Sequence, residues 1–383
     1  MSVLVGAASL FAGSASAEPP TPVLSFTTHG EENRPSGLAM TGGSLVWSVT
    51  LPNAEVQLRG LVDGRVRVLY GAKPPAAPPD DPASMYRTIV RQELTVRATP
   101  TRVVLIRKVI YHRHPKCRDG PVKCGIPERY EPWSAQVLAG GLRSPFRVVA
   151  AADRGKDTCV PLPDDVAAWR TTAVYAAEPV TTCKPGGRAG SLVRVSLVGA
   201  PRRSVLARLV DTQVMGLAYA GRYVAWSEAR EGRCPCDRVV VRDLRNDSLR
   251  VVVAGDRTAH DLRLQPDGSL VLVDDVVRRF AGTTCGRDEV GYVGPGKRRA
   301  RFLGRPAYQL GGFARNRMVY VGAPPSTCSG APLQLYLQEV GGRTRVLRTL
   351  ERTYLTGIDY DGRLLATATA VNAEDTLVRV ERP

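Results

Sequence analysis

Short apolar runs recur along this chain at a fixed interval. Leu45-Val46-Trp47, Val103-Val104-Leu105, Ala173-Val174-Tyr175, Val224-Ala225-Trp226, Val271-Leu272-Val273, Met318-Val319-Tyr320 and Leu365-Ala366-Thr367 form one series. The steps from Trp226 to Val273, to Tyr320 and to Thr367 are each 47 residues. Repetition at that period marks a repeat architecture. Residues 213–254 show the unit best: Gln213 to Tyr219 reads as a first strand, Tyr223 to Ser227 as a second, Arg238 to Asp243 as a third and Leu249 to Val253 as a fourth. The turns agree between units. Ala220-Gly221, Asp267-Gly268 and Asp361-Gly362 occupy first hairpins and Asp63-Gly64 a last one, where glycine supplies the positive φ that two-residue hairpins require. The second strands are apolar on both faces, as in a sheet packed between two others.

Units of four antiparallel strands stacked face to face around an axis predict an all-β fold, a single β-propeller. Seven anchors suggest seven blades; six blades with an irregular N-terminal region is the alternative. The step after Trp47 is lengthened by the Pro-rich loop Lys73 to Pro82, and the step after Leu105 by an insertion from His112 to Pro145. The last unit, from Tyr354, has room for three strands, so residues 22–28 are expected to complete it and close the ring. In its motifs the chain resembles the WD-repeat-like and TolB-like propeller superfamily. Gln265-Pro266-Asp267-Gly268-Ser269-Leu270 is similar to the Pro-Asp-Gly turn of TolB-like repeats, and Val239-Val240-Val241-Arg242-Asp243-Leu244 to a third strand of such blades. The resemblance covers about residues 36–383 as architecture. The Gly-His and Trp-Asp pairs of true WD repeats are absent, and a propeller fold by itself transfers no activity.

Residues 1–17 read as a secretory signal peptide: an apolar stretch from Val3 to Gly13, then a small-x-small site at Ala15-Ser16-Ala17. No Lys or Arg precedes Arg34, so the basic opening of such a peptide is missing. Residues 18–35 form an N-terminal segment with the closing strand, and 36–383 the propeller. Eight cysteines agree with a secreted or cell-envelope location, where disulfides persist. Cys117, Cys124, Cys159, Cys183, Cys234, Cys236, Cys285 and Cys328 all fall in turn-like segments, which in a propeller gather on one face. Cys117 with Cys124 and Cys159 with Cys183 are the nearest pairs. Cys234 with Cys236 and Cys285 with Cys328, or Cys236 with Cys285, remain alternatives. No membrane span is expected, because no apolar run approaches the ~18 residues a span requires.

His112, His114, Cys117 and Cys124 offer two imidazoles and two sulfurs for Zn or Cu. Arg113, Lys116, Arg118 and Lys123 oppose a cation, so a basic exposed loop closed by a disulfide is preferred, and neither metal nor cofactor is expected. Cys234-Pro235-Cys236 is given a structural role. Gly291 to Arg298 nearly spells a phosphate-binding loop, but Arg298 stands where a magnesium-holding Ser or Thr belongs and the segment joins strands; it reads as a turn. Where innermost strands begin, Glu93, Asp165, Gln213, His260, Asp261, Gln309 and Thr356 form a candidate axial ring for a ligand or acid–base pair.

Of 53 basic residues 7 are Lys, leaving 46 Arg, against 36 acidic ones, a net charge of +17. Arg65, Arg67, Arg147, Arg202, Arg203, Arg250, Arg299, Arg301, Arg345 and Arg348 recur in or beside fourth strands, where charge discourages edge pairing. That arrangement is a diffuse rim. Aromatic residues make up 6% of the chain, and no basic stripe interleaves with them, so nucleic acid is not an expected partner. The leading expectation is a monomeric, exported interaction module for a protein or an anionic envelope component. The alternative is a propeller hydrolase or lyase acting on an anionic or carbohydrate substrate at the central channel.

Overall fold

The structure, a computed structural model, describes residues 21–30, 34–79, 86–116, 128–154, 159–178, 189–210, 212–230, 238–252, 259–280, 283–323, 333–350, 354–372 and 374–383. Its strands fall into seven antiparallel sheets of four. After β1 (Thr21–His29), the first blade comprises β2 (Gly37–Thr41), β3 (Ser44–Thr50), β4 (Val56–Val62) and β5 (Arg65–Ala72). The second is β6 (Tyr86–Ala98), β7 (Val103–Pro115), β8 (Arg129–Gly141) and β9 (Ser144–Asp153), and the third β10 (Leu162–Trp169), β11 (Thr172–Glu178), β12 (Gly190–Ser196) and β13 (Arg203–Leu209). The fourth runs β14 (Thr212–Ala220), β15 (Tyr223–Arg230), β16 (Arg238–Asp243) and β17 (Ser248–Val252). The fifth follows as β18 (His260–Leu264), β19 (Leu270–Phe280), β20 (Thr283–Val293) and β21 (Arg301–Pro306). The sixth is β22 (Gln309–Ala314), β23 (Arg317–Gly322), β24 (Leu333–Glu339) and β25 (Thr344–Leu350). The seventh is β26 (Tyr354–Tyr360), β27 (Leu365–Ala370) and β28 (Asp375–Arg382), completed by β1. No helix occurs among the described residues, so none there crosses a membrane.

The first strands touch in a closed cycle, β2 to β6, β10, β14, β18, β22, β26 and back to β2. That cycle is the axis of a seven-bladed propeller. The ring is closed non-covalently: β1 lies antiparallel to β28 from Thr21 opposite Arg382 to His29 opposite Asp375. Leu24 and Phe26 carry the closure into the core between the seventh and first blades, where Phe26 packs 5.5 Å from the Trp47 ring.

Each neighbouring pair of blades shares one apolar core, seven in all. Second strands supply the largest share of it because both their faces meet another sheet; every residue of Leu365–Ala370 is buried. Asp63-Gly64 turns through φ of 53° and 73°, the conformation a two-residue hairpin needs. Since successive strands alternate in direction, the connections between second and third strands and those between blades gather on one face, termed upper. The other hairpins lie on the lower face.

The second blade departs from the sequence reading. His112–Pro115 is not loop but the end of β7, Arg129–Gly141 is the whole of β8, and β6, β7 and β8 are each 13 residues long. The three strands overhang the upper face and carry a small core of their own, Val90, Val109 and Tyr111, with Trp133 stacked 4.9 Å from Tyr111. Continuing the antiparallel register satisfies more backbone groups than an irregular loop would, so the insertion grows the sheet.

Several rim arginines act between blades. The Arg203 guanidinium donates to the Val149 carbonyl, Arg250 to the carbonyls of Gly268, Gly294 and Lys297, and Arg348 to both carboxylate oxygens of buried Glu381 at 2.6 Å. Fourth strands also expose Val66, Val68, Val205, Leu249 and Val346. The rim is therefore basic and apolar by turns, with part of its charge committed to blade packing.

Candidate functional site

The inner strands β10, β14, β18, β22 and β26 each carry a register shift near the upper end, between Pro163 and Asp165, Val214 and Gly216, His260 and Arg263, Leu310 and Gly312, and Leu355 and Gly357. An extra residue there bends the strand and re-aims its side chains. Where it falls in the fifth blade, Asp261 is held at φ 50°. Its carboxylate accepts from the Leu310 amide of the next blade at 2.5 Å and pairs with Arg263 at 2.6 Å. Both oxygens are therefore engaged away from His260.

Two further carboxyls repeat this pattern, and the sequence reading missed them. Asp359 accepts from the Met40 amide at 2.7 Å, joining the seventh blade to the first, and Glu178 accepts from the Val214 amide at 2.8 Å, joining the third to the fourth. Gln92 ties the second blade to the first: its amide nitrogen donates to the carbonyls of Ala54 and Ala72, and its oxygen accepts from Arg107. A buried amide left without an acceptor costs roughly 1–3 kcal/mol, so these contacts hold blades in register. A carboxyl that closes an apolar run, as in Ala176-Ala177-Glu178, or interrupts one, as in Ile358-Asp359-Tyr360, was the available signal.

Burial shapes the electrostatics at the axis. It raises the Asp359 carboxyl to about 6, against opposing hydrogen bonding from Met40 and attraction from Arg263 and Arg97. Burial, reinforced by Asp164, raises Glu178 to about 8. Asp165 is raised for the same first reason, opposed by Arg97, whose guanidinium stands 3.5 Å away. Lys108 pairs with Asp164 beside them. Arg97 and Arg263, absent from the sequence-predicted ring, thus face the axial acids.

The predicted ring converges only in part. Asp165 belongs to the axial cluster and Asp261 to a blade contact. Glu93 is exposed seven residues into β6 and does not start an inner strand, because the overhang moves that start to Tyr86. Gln213, the second residue of β14, is exposed; Gln309 and Thr356 are partly buried in their strands, and Thr356 donates to the Ala368 carbonyl within its own blade. Gly291 to Arg298 is the end of β20 and a turn, closed by the Lys297 amide on the Gly294 carbonyl with Gly296 at φ 68°.

On the overhang, His112 is not in an exposed loop: it is 1% exposed in β7. Its Nε2 lies 2.8 Å from one oxygen of Glu128, while Nδ1 of His114 lies 2.9 Å from the other. The Tyr130 hydroxyl donates to Glu128 at 3.1 Å, and its ring stacks on His112 at 4.1 Å. Burial first lowers the His112 imidazole, while the His112 hydrogen bond lowers Glu128.

Cys159 is disulfide-bonded. Cys117, Cys124, Cys183, Cys234, Cys236 and Cys328 lie outside the described residues, as do Arg118, Lys123 and residues 1–20. Cys285 lies within β20 and not in a turn, because β19 and β20 prolong their pairing to Phe280 and Thr283. Its side chain is outside the described residues.

No protein-family model matches the chain, and no curated protein matches it in sequence. Among solved structures it is similar to U3-55K, at TM-score 0.53 and 11% identity over 94% of this chain and 99% of that one. It is similar also to the β-propeller domain of the Trilobed protease from Pyrococcus furiosus, described as having an open velcro topology, at TM-score 0.52 and 7% identity over 89% and 92%. The polysaccharide lyase Uly1 matches at TM-score 0.51 and 10% identity over 91% and 90%. At these identities the likeness shows the fold alone: the propeller architecture implied by the sequence motifs is the observed one.

Proposed function

We propose that the protein is an exported interaction module that docks a protein partner on the upper face of its propeller. The observation that carries this reading is where unpaired apolar surface lies. Apart from the fourth strands, the large exposed apolar side chains among the described residues are Tyr130, Val210, Met215, Tyr308 and Val371 on the upper face, with Val198 alone on the lower. Exposed aromatics and Met beside polar groups suit a docking surface. The engagement of Asp261, Asp359 and Glu178 as blade contacts supports a binding role over an acid–base one. The apolar stretch before Ala17 and the eight cysteines support export, and the basic rim supports attraction to anionic envelope polymers.

Paired surface variants test the proposal. Met215→Glu combined with Tyr308→Glu is expected to reduce capture of envelope proteins by immobilised protein at least tenfold, while Val198→Glu leaves it unchanged. Equal capture by both variants would exclude the upper face. A second reading, a lyase or hydrolase acting on an anionic polysaccharide, is favoured by one observation: Arg97 and Arg263 both act on Asp165 and Asp359 at the axis. It requires turnover that Arg97→Ala abolishes.

A further inference from the structure

We infer that the overhang of the second blade holds a divalent transition-metal ion, zinc foremost, between His112, His114 and Glu128. The three residues are brought together by sheet geometry. His112 and His114 lie two apart in β7, so they share one strand face, and His112 stands opposite Tyr130 in the β7–β8 register. Continuing that register past Arg113 opposite Arg129 brings Glu128 opposite His114. One ligand atom from each residue lies within 4.8 Å of the others. A tetrahedral zinc ion with bonds of about 2.0–2.1 Å holds its ligand atoms roughly 3.3 Å apart, so small side-chain movements complete the geometry.

The chemistry of the donors fits. Two imidazoles and a carboxylate form a set that zinc accepts as three protein ligands with one position open. The carboxylate already spans both rings, one oxygen to each, and is oriented by the Tyr130 hydroxyl, the kind of outer support that ligating carboxylates receive. Burial of His112 and its stacking on Tyr130 fix the ring before an ion arrives.

The basic neighbours that argued against a cation in sequence are partly removed by the fold. Arg113 alternates to the opposite strand face, where its guanidinium pairs with Glu131 at 3.1 Å. Arg91 remains near, 6.0 Å above the Tyr130 ring. Zinc bound here fastens β7 to β8 beyond the reach of the blade's main core.

Titration of the purified chain, stripped by chelator and dialysed, with Zn2+ tests the inference, and Co2+ serves as an optical probe. One ion per chain is expected, with Co2+ giving the visible absorption of a tetrahedral site. His114→Ala and Glu128→Gln are each expected to weaken Zn2+ binding at least tenfold and to abolish the Co2+ bands. His29→Ala, which removes a surface imidazole paired with Asp375 at 2.7 Å, leaves both intact. Glu128→Gln keeps a hydrogen-bonding side chain of equal size, so its loss of binding is not a folding failure when its thermal melt matches the parent. Absence of stoichiometric binding, or affinity unchanged in both His114→Ala and Glu128→Gln, overturns the assignment.

Discussion

Deleting residues 21–30 is expected to abolish cooperative folding of the isolated chain or to lower its melting temperature by more than about 10 °C. The deletion leaves the seventh blade with three strands and turns β28 into an open edge. It also strips Leu24 and Phe26 from the core around Trp47, which is 1% exposed in the intact fold. Truncating a fully buried Phe costs about 3–5 kcal/mol; Leu24 and Phe26 are partly buried, so each contributes less, but their loss adds to that of the whole β1 ladder, and an unpaired edge strand invites association between chains. Size-exclusion chromatography and thermal unfolding of the parent and truncated chains check the result. A synthetic peptide of residues 21–30 added to the truncated chain is expected to restore a monomer, since main-chain pairing to an exposed edge is itself a binding mode. Unchanged melting after deletion would mean that β1 does not close the ring.

Glu178→Gln is expected to remove most of a fall in stability with rising pH. Glu178 at about 8 and Asp359 at about 6 are both raised on folding, so the native state binds their protons more tightly than the unfolded chain. The stability this contributes is fully present below about pH 4, the ordinary carboxyl range, and is lost as pH rises through 6 for Asp359 and through 8 for Glu178. A shift of the size at Glu178 corresponds to an effect on the order of several kcal/mol between pH 4.5 and 8.5. Glutamine keeps an acceptor for the Val214 amide without the ionisable group. The variant is therefore expected to melt within about 1 °C of the parent at pH 4.5 and roughly 5 °C above it at pH 8.5. Thermal melts across that range decide it. A parent whose melting temperature rises steadily from pH 5 to 8.5, or a variant that follows the parent throughout, would show that Glu178 is ionised in the fold.

The fold was legible because the forces that build a propeller repeat. Every second strand faces two sheets, so every one is apolar on both sides, and the 47-residue spacing from Trp226 to Thr367 reports that directly. Asp-Gly pairs announced hairpins because the turn itself dictates them. The site was less legible because its contacts join segments far apart in the chain. Asp359 reaches Met40 across 319 residues and Glu178 reaches Val214 across 36, and no local pattern encodes either partner. Glu93 was misplaced because strand length beyond the repeat is set by pairing with β7 and β8, which periodicity does not record. The histidines read as part of a basic loop for the same reason: alternation puts His112 and Arg113 on opposite faces only once the segment is known to be a strand.

The most direct test of the upper-face account is site-specific photo-cross-linking in the producing cells. A photoreactive amino acid placed at Tyr308 on the upper face, and in a separate variant at Val198 on the lower, samples both ends of the same propeller. A discrete adduct from position 308 with none from 198 is the expected result. Adducts from position 198 alone, equal adducts from both, or none from either would contradict docking on the upper face.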